Sequence, residues 1–239
     1  QHSLSFTSDE IHTLFSDYYR YELSPSEVNL ISHHTEGWAI ALHLIWQSLR
    51  SEAIISIEET FNQENYSLSN LFEVLTHEVL NQQPADVREF LIITAVLRSI
   101  TADVCNTLPS STDCAAMLAY LRRQELFLID AGDGALRYHN IFRHFLLGQS
   151  TPEELKKWHK RSAEYYQAKK NFDEGIYHTL QAQEYELAAS LLAEHGGQLL
   201  SRGRLDSLET SLAALPADTL KRFPELLIYM GDLARFHSR

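Results

Sequence analysis

Residues 126–139 are the one place where the hydrophobic pattern leaves the three-to-four spacing of helices for the alternation of strands. Leu126-Phe127-Leu128-Ile129-Asp130 and Ala135-Leu136-Arg137-Tyr138-His139 flank Ala131-Gly132-Asp133-Gly134, and the glycines of that turn accept the positive φ of a tight hairpin. The remainder reads as helix. The fold is therefore expected to be mainly α, with a single short β-hairpin placed inside it.

Helix starts are marked by three capping boxes, Thr7-Ser8-Asp9-Glu10, Ser24-Pro25-Ser26-Glu27 and Thr151-Pro152-Glu153-Glu154, two of them with proline at the first helical position. Ile11, Leu14, Phe15 and Tyr18 share one helix face. Val28, Leu30 and Ile31 continue in a second helix, and Trp38, Ala41, Leu42, Ile45 and Leu49 line a third. These read as a small antiparallel bundle, and residues 51–66 as a connection with one short helix. From Leu68 the helical period returns through Val79, Pro84 starts a helix through Leu97, Thr101 caps a short one, and Thr112 opens another through Met117, Leu118 and Leu121. Three helices, the hairpin, and a closing helix from Asn140 to Leu147 give the order of a winged helix.

After Thr151 helices recur in pairs joined by short polar or glycine links, with Gly196-Gly197 read as one such link. Alternating small and large residues at this spacing predict TPR-like helical-hairpin repeats that stack as a solenoid. The expected domains are 1–66, a helical domain; 67–150, a winged helix; and 151–239, the start of the repeats. The last helix looks unfinished at Arg239, which suggests a piece of a longer protein.

At 44% hydrophobic and 22% charged residues, the 239-residue chain sits in the globular range. No apolar run approaches the roughly 18 to 20 residues of a membrane span, and no signal-peptide pattern opens the sequence. Two cysteines, Cys105 and Cys114, make no disulfide framework, so a cytoplasmic setting is expected. The net charge of -12 is unevenly spread: residues 1–83 hold only Arg20 and Arg50 against 12 acids, a net of -10. Such a surface repels phosphate backbones and anionic membranes. The first lysine is Lys156, so no GxxxxGK[ST] loop precedes it, and the later lysines have no such context.

Other chemistry finds little footing. His77-Glu78 is followed by Asn81 where a zincin needs histidine, His33-His34 point to different helix faces, and His139 and His144 are five apart. No metal site is expected. The helix from Thr112 begins with an acid and apolar groups and carries Arg122 and Arg123 only at its end, while the hairpin tip is Gly-Asp-Gly. Both are poor equipment for reading DNA. Lys156, Lys157, Lys160 and Arg161 make a basic stripe that reads as solvated surface or a contact face.

Glu36-Gly37-Trp38-Ala39-Ile40-Ala41-Leu42, Leu126-Phe127-Leu128 and Arg137-Tyr138-His139-Asn140-Ile141-Phe142-Arg143-His144-Phe145-Leu146 resemble the MalT-like family. These are large ATP-dependent bacterial transcription activators of the STAND class of signalling NTPases. Trp158-His159-Lys160-Arg161-Ser162-Ala163-Glu164-Tyr165-Tyr166, Ala188-Ala189-Ser190-Leu191-Leu192 and Leu212-Ala213-Ala214-Leu215-Pro216 continue the likeness in the same order. Such proteins comprise a P-loop ATPase domain, a helical domain, a winged helix, a superhelical sensor and, commonly, a LuxR-type helix-turn-helix. The resemblance implies that this chain is the middle portion.

In the related NB-ARC proteins a Gly-Leu-Pro-Leu-type motif lies near the adenine and a Met-His-Asp motif meets the β-phosphate of ADP. The resemblance places Gly37, Trp38 and Ala39 at the first, with alanine for proline, and Tyr138-His139-Asn140 at the second, with His139 as phosphate sensor. The plainer readings stand beside these: His139 tying the hairpin to the next helix, and Gly37 and Trp38 as a helix start and a core aromatic.

The function implied is regulatory and not enzymatic in the chain itself. ATP or ADP is held by a P-loop domain outside these residues, with no tight nucleotide binding expected here. A small-molecule inducer or inhibitory protein acts at the repeats, DNA is met only through a separate output domain, and ATP and inducer together favour a homo-oligomer. The alternative is a helical-repeat adaptor without nucleotide, and a third reading is a winged-helix DNA binder.

Overall fold

A computed structural model describes residues 5–50, 56–62, 80–109, 113–124, 128–132 and 134–237. The helix read from Leu68 to Val79, most of the connection at 51–66, Thr112, Leu126, Phe127 and Asp133 lie outside the described residues. The fold is mainly α, with helical bundle, winged helix and helical repeats in that order. Contacts divide it into two compact units, Gln1–Ala102 with Ser110–Gln149, and Asp103–Pro109 with Ser150–Arg239.

In the first unit, α1 (Ser8–Thr13), a π-helical turn (Leu14–Tyr18), α2 (Pro25–Thr35), α3 (Ala39–Arg50) and α4 (Ile57–Asn62) form the bundle. The capping boxes at Thr7 and Ser24 close reciprocally: Glu10 accepts from the Thr7 N–H at 2.8 Å and Glu27 from the Ser24 N–H at 2.8 Å. Ile11, Phe15, Ile31, Leu42 and Ile45 are fully buried between the helices. Glu36 ends α2 in the left-handed region (φ 52°) and Gly37 follows at φ 72°. Here glycine is required by space as well as by dihedral, because a Cβ on Gly37 would lie 2.1 Å from the Phe6 carbonyl oxygen. Phe6 and Gly37 meet this closely because the Phe6 N–H donates to the Gly37 carbonyl (2.9 Å) and Ser5 bridges Trp38.

The winged helix follows with α5 (Ala85–Thr94), α6 (Ala102–Cys105) and α7 (Cys114–Gln124), then β1 (Leu128–Gly132), β2 (Ala135–Tyr138) and α8 (Asn140–Leu147). β1 and β2 are antiparallel, pairing Leu128 with Tyr138 and Ile129 with Arg137, with a register irregularity between Asp130 and Gly132. That irregularity carries β1 into the stretch read as turn, and β2 stops at Tyr138, leaving His139 as the N-cap of α8. Ile100 adds a third short pairing by exchanging both backbone hydrogen bonds with Leu136 (2.6 and 3.0 Å), which no local pattern announced. Tyr138 anchors the hairpin, its hydroxyl 2.6 Å from that of buried Thr94.

The second unit contains Asp103–Cys105 of α6, then α9 (Pro152–Ala168), α10 (Phe172–Gln181), α11 (Tyr185–Ser201), α12 (Leu205–Ala213), α13 (Ala217–Arg222) and α14 (Pro224–His237). Three links repeat one device: a three-residue connection whose middle residue, Lys170, Gln183 or Gly203, has positive φ. The next N–H then reaches back five residues, Asn171 to Tyr166, Glu184 to Thr179 and Arg204 to Leu199, at 2.9 to 3.1 Å. Ile176, Ala188, Ala189, Leu192, Leu208 and Leu226 form the core. Gly196-Gly197 is not a link, for α11 runs through both to Ser201. A Cβ on Gly196 would lie 2.7 Å from the Tyr229 ring, so the absent side chain admits an aromatic from α14 where a turn had been read.

Candidate functional site

The Glu36–Trp38 reversal and the Arg137–Asn140 segment, about a hundred residues apart in sequence, meet in the first unit. Glu36 and Arg137 make a bidentate fork, 2.9 Å from Nη1 to Oε2 and 2.6 Å from Nη2 to Oε1. The Asn140 N–H, the first of α8, donates to the same Oε2 at 3.1 Å. His139 Nδ1 lies 3.9 Å from that oxygen, too far for a hydrogen bond, and is buried without a partner. A carboxylate thus sits where a guanidinium, the N-terminus of a helix and an imidazole converge.

The ring of His139 stacks on Trp38, with centroids 5.2 Å apart and planes 11° from parallel, and Trp38 also meets Phe142 at 5.6 Å. Trp38 and His139 are 5% and 6% exposed. Burial pushes the His139 pKa down to about 4, with Glu36 pulling it up and Arg137 pushing it down. At neutral pH the imidazole is uncharged, so in this arrangement it can offer a neutral N–H or a lone pair and no full charge.

The four residues singled out from sequence are therefore close together but unequal. His139 and Trp38 are in contact, Gly37 is covered by Phe6, and Ala39, opening α3, is exposed. An oxyanion would find two kinds of donor here, the Arg137 guanidinium and the Asn140 N–H, both now given to Glu36, with the His139 imidazole beside them. A flat base would find less, since the Trp38 face lies against His139. Glu36 and Arg137 lie inside the stretches that carry the family likeness, and their pairing has no local signal because the two residues are 101 positions apart.

A second histidine contact lies in the other unit. His159 on α9 and His178 on α10, both buried, bring their Nδ1 atoms to 2.8 Å, so one donates and the other accepts. Tyr166 stacks on His178 at 5.4 Å. His159 falls on the same helix face as Ser162, Ala163 and Tyr166, a periodicity that could have marked it as buried. On the winged helix, α7 exposes Ala115, Ala116 and Ala119, and Arg122 donates to the Gly134 carbonyl at 3.1 Å. Among the described residues no group of three or more His, Cys, Asp or Glu could hold a metal ion, and no helix is long and apolar enough to cross a membrane.

Residues 76–158 match the family model described as the MalT winged helix domain. Over 241 aligned residues, 99% of this chain, the sequence is 30% identical to the HTH-type transcriptional regulator MalT of Cronobacter sakazakii, of whose length the chain spans 27%. A crystal structure of a signal transduction ATPase with numerous domains, a STAND protein with a tetratricopeptide repeat sensor from Pyrococcus horikoshii, superimposes over 98% of this chain and 33% of its own. Its TM-score is 0.54 and its sequence identity 16%, a likeness of fold. The ordered sequence likeness, the matched winged helix and the shared fold agree: the chain resembles the MalT-like family along nearly its whole length, and residues 76–158 match that family's winged helix domain.

Proposed function

We propose that these residues are the regulatory middle of a signal-responsive, ATP-dependent transcriptional activator working in the cytoplasm. In this reading residues 1–66 are the helical domain, 67–150 the winged helix and 151–239 the first sensor repeats. ATP or ADP is held by a P-loop domain of the same protein, against which Gly37, Trp38 and Ala39 take the adenine side and His139 the phosphate side. An inducer or inhibitory protein acts on the repeats, an output domain meets DNA, and ATP with inducer favours a homo-oligomer.

The observation that supports this best is the Glu36 carboxylate held by Arg137, the Asn140 N–H and the flank of His139. That set of donors suits a phosphate oxygen as well as a carboxylate. The nucleotide supplies the anionic group that distinguishes its two forms. What this chain contributes is a latch: while Glu36 fills the donors, His139 stays buried and neutral. If the latch opens, His139 meets water, recovers its proton affinity and becomes able to make a charge-assisted hydrogen bond. A two-state element biased from two sides is the minimum a switch requires.

Calorimetry on the 239-residue chain should show no saturable ATP or ADP binding tighter than about millimolar. A micromolar constant would remove the principal site from the P-loop domain and overturn the arrangement. In the protein that includes that domain, His139→Ala should speed ADP release, and an unchanged rate would end the sensor assignment.

A further inference from the structure

In the second unit a partly enclosed cavity of about 110 Å³ is lined by Asn171, Phe172 and Asp173 at the cap and start of α10, His195, Gln198 and Leu199 from α11, and the exposed Arg202 and Arg204 of the link that follows α11. At ~30 Å³ per water, that volume holds three or four waters, or one compact group of about five heavy atoms. Its wall is rigid on one side, where Phe172 and His195 stack with centroids 3.5 Å apart.

The charges and hydrogen-bonding groups around it are unevenly satisfied. Asp173, the one carboxylate in the lining, is already engaged: its Oδ2 is 3.8 Å from Arg204 and its Oδ1 accepts from the Ser207 hydroxyl. Arg202 has no carboxylate within ion-pair distance among the described residues. His195 Nδ1 is buried with no hydrogen-bond partner, while its Nε2 lies 3.6 Å from the largely exposed Glu194. Two helices begin at the cavity, α10 and α12. Arg204, the N-cap of α12, gives that nine-residue helix no side-chain cap. The Arg202 guanidinium on the open side, the Gln198 amide and the helix N-termini favour a negative group of that size.

We infer that this cavity between α10, α11 and α12 binds a small oxyanion, the carboxylate or phosphate group of a metabolite, with Arg202 as its principal charge partner, the Gln198 amide as a second polar contact and the His195 ring as part of the wall. This names a ligand class for the repeats and rests on the proposed sensor role only for its biological meaning, because the cavity and its donors stand without it. Asp173 keeps Arg204 in place and leaves Arg202 to the ligand. The Phe172–His195 stack fixes the orientation of the imidazole.

The test titrates the 239-residue chain with inorganic phosphate and, separately, with pyruvate, at ionic strength matched with chloride, by calorimetry and by the imidazole resonances of His195. Saturable one-site binding by at least one probe is expected, phosphate alone pointing to a phosphorylated ligand and pyruvate alone to a carboxylate. Arg202→Ala should weaken it about tenfold or more, the scale of one charge-assisted hydrogen bond. Arg202→Lys should retain part of the affinity. His195→Phe, which preserves the stack, should weaken binding less than Arg202→Ala does. Arg222→Ala, remote from the lining and paired to Glu186, should change nothing. No saturable signal from either probe up to about 10 mM, or Arg202→Ala binding as tightly as the parent chain, overturns the inference. The second result would also arise if phosphate were bound in the first unit beside Arg137, so it separates the two sites. Neither probe involves a nucleotide, and failure here leaves the reading of His139 untouched.

Discussion

The two units of this chain are held by different kinds of contact. In the repeats the same three-residue link recurs at Lys170, Gln183 and Gly203, each closed by a hydrogen bond reaching five residues back, so the fold is built from neighbours in sequence. In the first unit the decisive contacts are distant: Ser5 with Trp38, Ile100 with Leu136, Thr94 with Tyr138 and Glu36 with Arg137. Local devices tolerate change because each is small and repeated. Distant ones concentrate their stabilisation in a few atoms, and the candidate site is made of them.

Gly37 and Gly203 break this comparison most sharply. Their φ values are nearly equal, 72° and 70°, yet an added Cβ would collide with Phe6 backbone atoms at the first and meet nothing within 4 Å at the second. Gly203→Ala should therefore cost only the dihedral, roughly 1 to 2 kcal/mol. Gly37→Ala must also push away the backbone that pairs with it, on the order of 4 kcal/mol. Urea unfolding of both variants measures the gap. Equal losses would show that the Phe6–Gly37 approach is slack and that the reversal leading to Trp38 is not held by it.

The next largest effect is the pH response of His139. Its pKa of about 4 in the folded chain, against about 6.5 when unfolded, means that the unfolded chain takes up the proton first on acidification. The stabilisation is complete above pH ~6.5 and is lost as pH falls toward 4, amounting to roughly 2 kcal/mol less stability at pH 5 than at pH 8. His139→Phe keeps a ring against Trp38 and removes the titration. Burial also lowers His34 and His144, each helped by a neighbouring cation-forming group, His33 and Arg143 respectively. The variant should consequently retain a shallower slope. Parallel pH slopes for parent and variant would mean that His139 is not buried in solution as it is here.

These two cases also show what the sequence could disclose. The capping boxes at Thr7, Ser24 and Thr151, the hairpin, and the paired helices after Thr151 were readable because each depends on residues within one or two turns. Gly196-Gly197 misled for a related reason: glycine marks either a turn or a close approach, and only Tyr229, more than thirty residues on, decides between them. Gly37, Trp38, Ala39 and His139 were found through family likeness, since no local rule connects them. Glu36 and Arg137 escaped because an acid after a helix and an arginine in a strand are unremarkable until folding brings them together. Arg202 and His195 escaped likewise, since Arg202 closes α11 as its C-cap and only the folded link brings it beside the start of α10.

The smallest effect tests whether a close ion pair means the same thing in both units. Glu36–Arg137 and Lys160–Glu184 have nearly equal shortest distances, 2.6 and 2.5 Å. The first is a two-pronged pair, partly shielded and joined by a backbone N–H. The second is a single ammonium on the surface, where water and salt screen it and a flexible side chain loses entropy in holding one geometry. Double-mutant cycles with alanine should give about 1.5 kcal/mol of coupling for Glu36–Arg137. That coupling should survive added salt in large part. For Lys160–Glu184 the coupling should be close to the limit of detection at low salt and vanish at about 1 M, where the screening length falls to roughly 3 Å. If the surface pair proved the stronger, the basic stripe on α9 would be a structural brace of the repeats. If the Glu36–Arg137 coupling vanished with salt, the carboxylate would be too loosely held to act as a latch over His139.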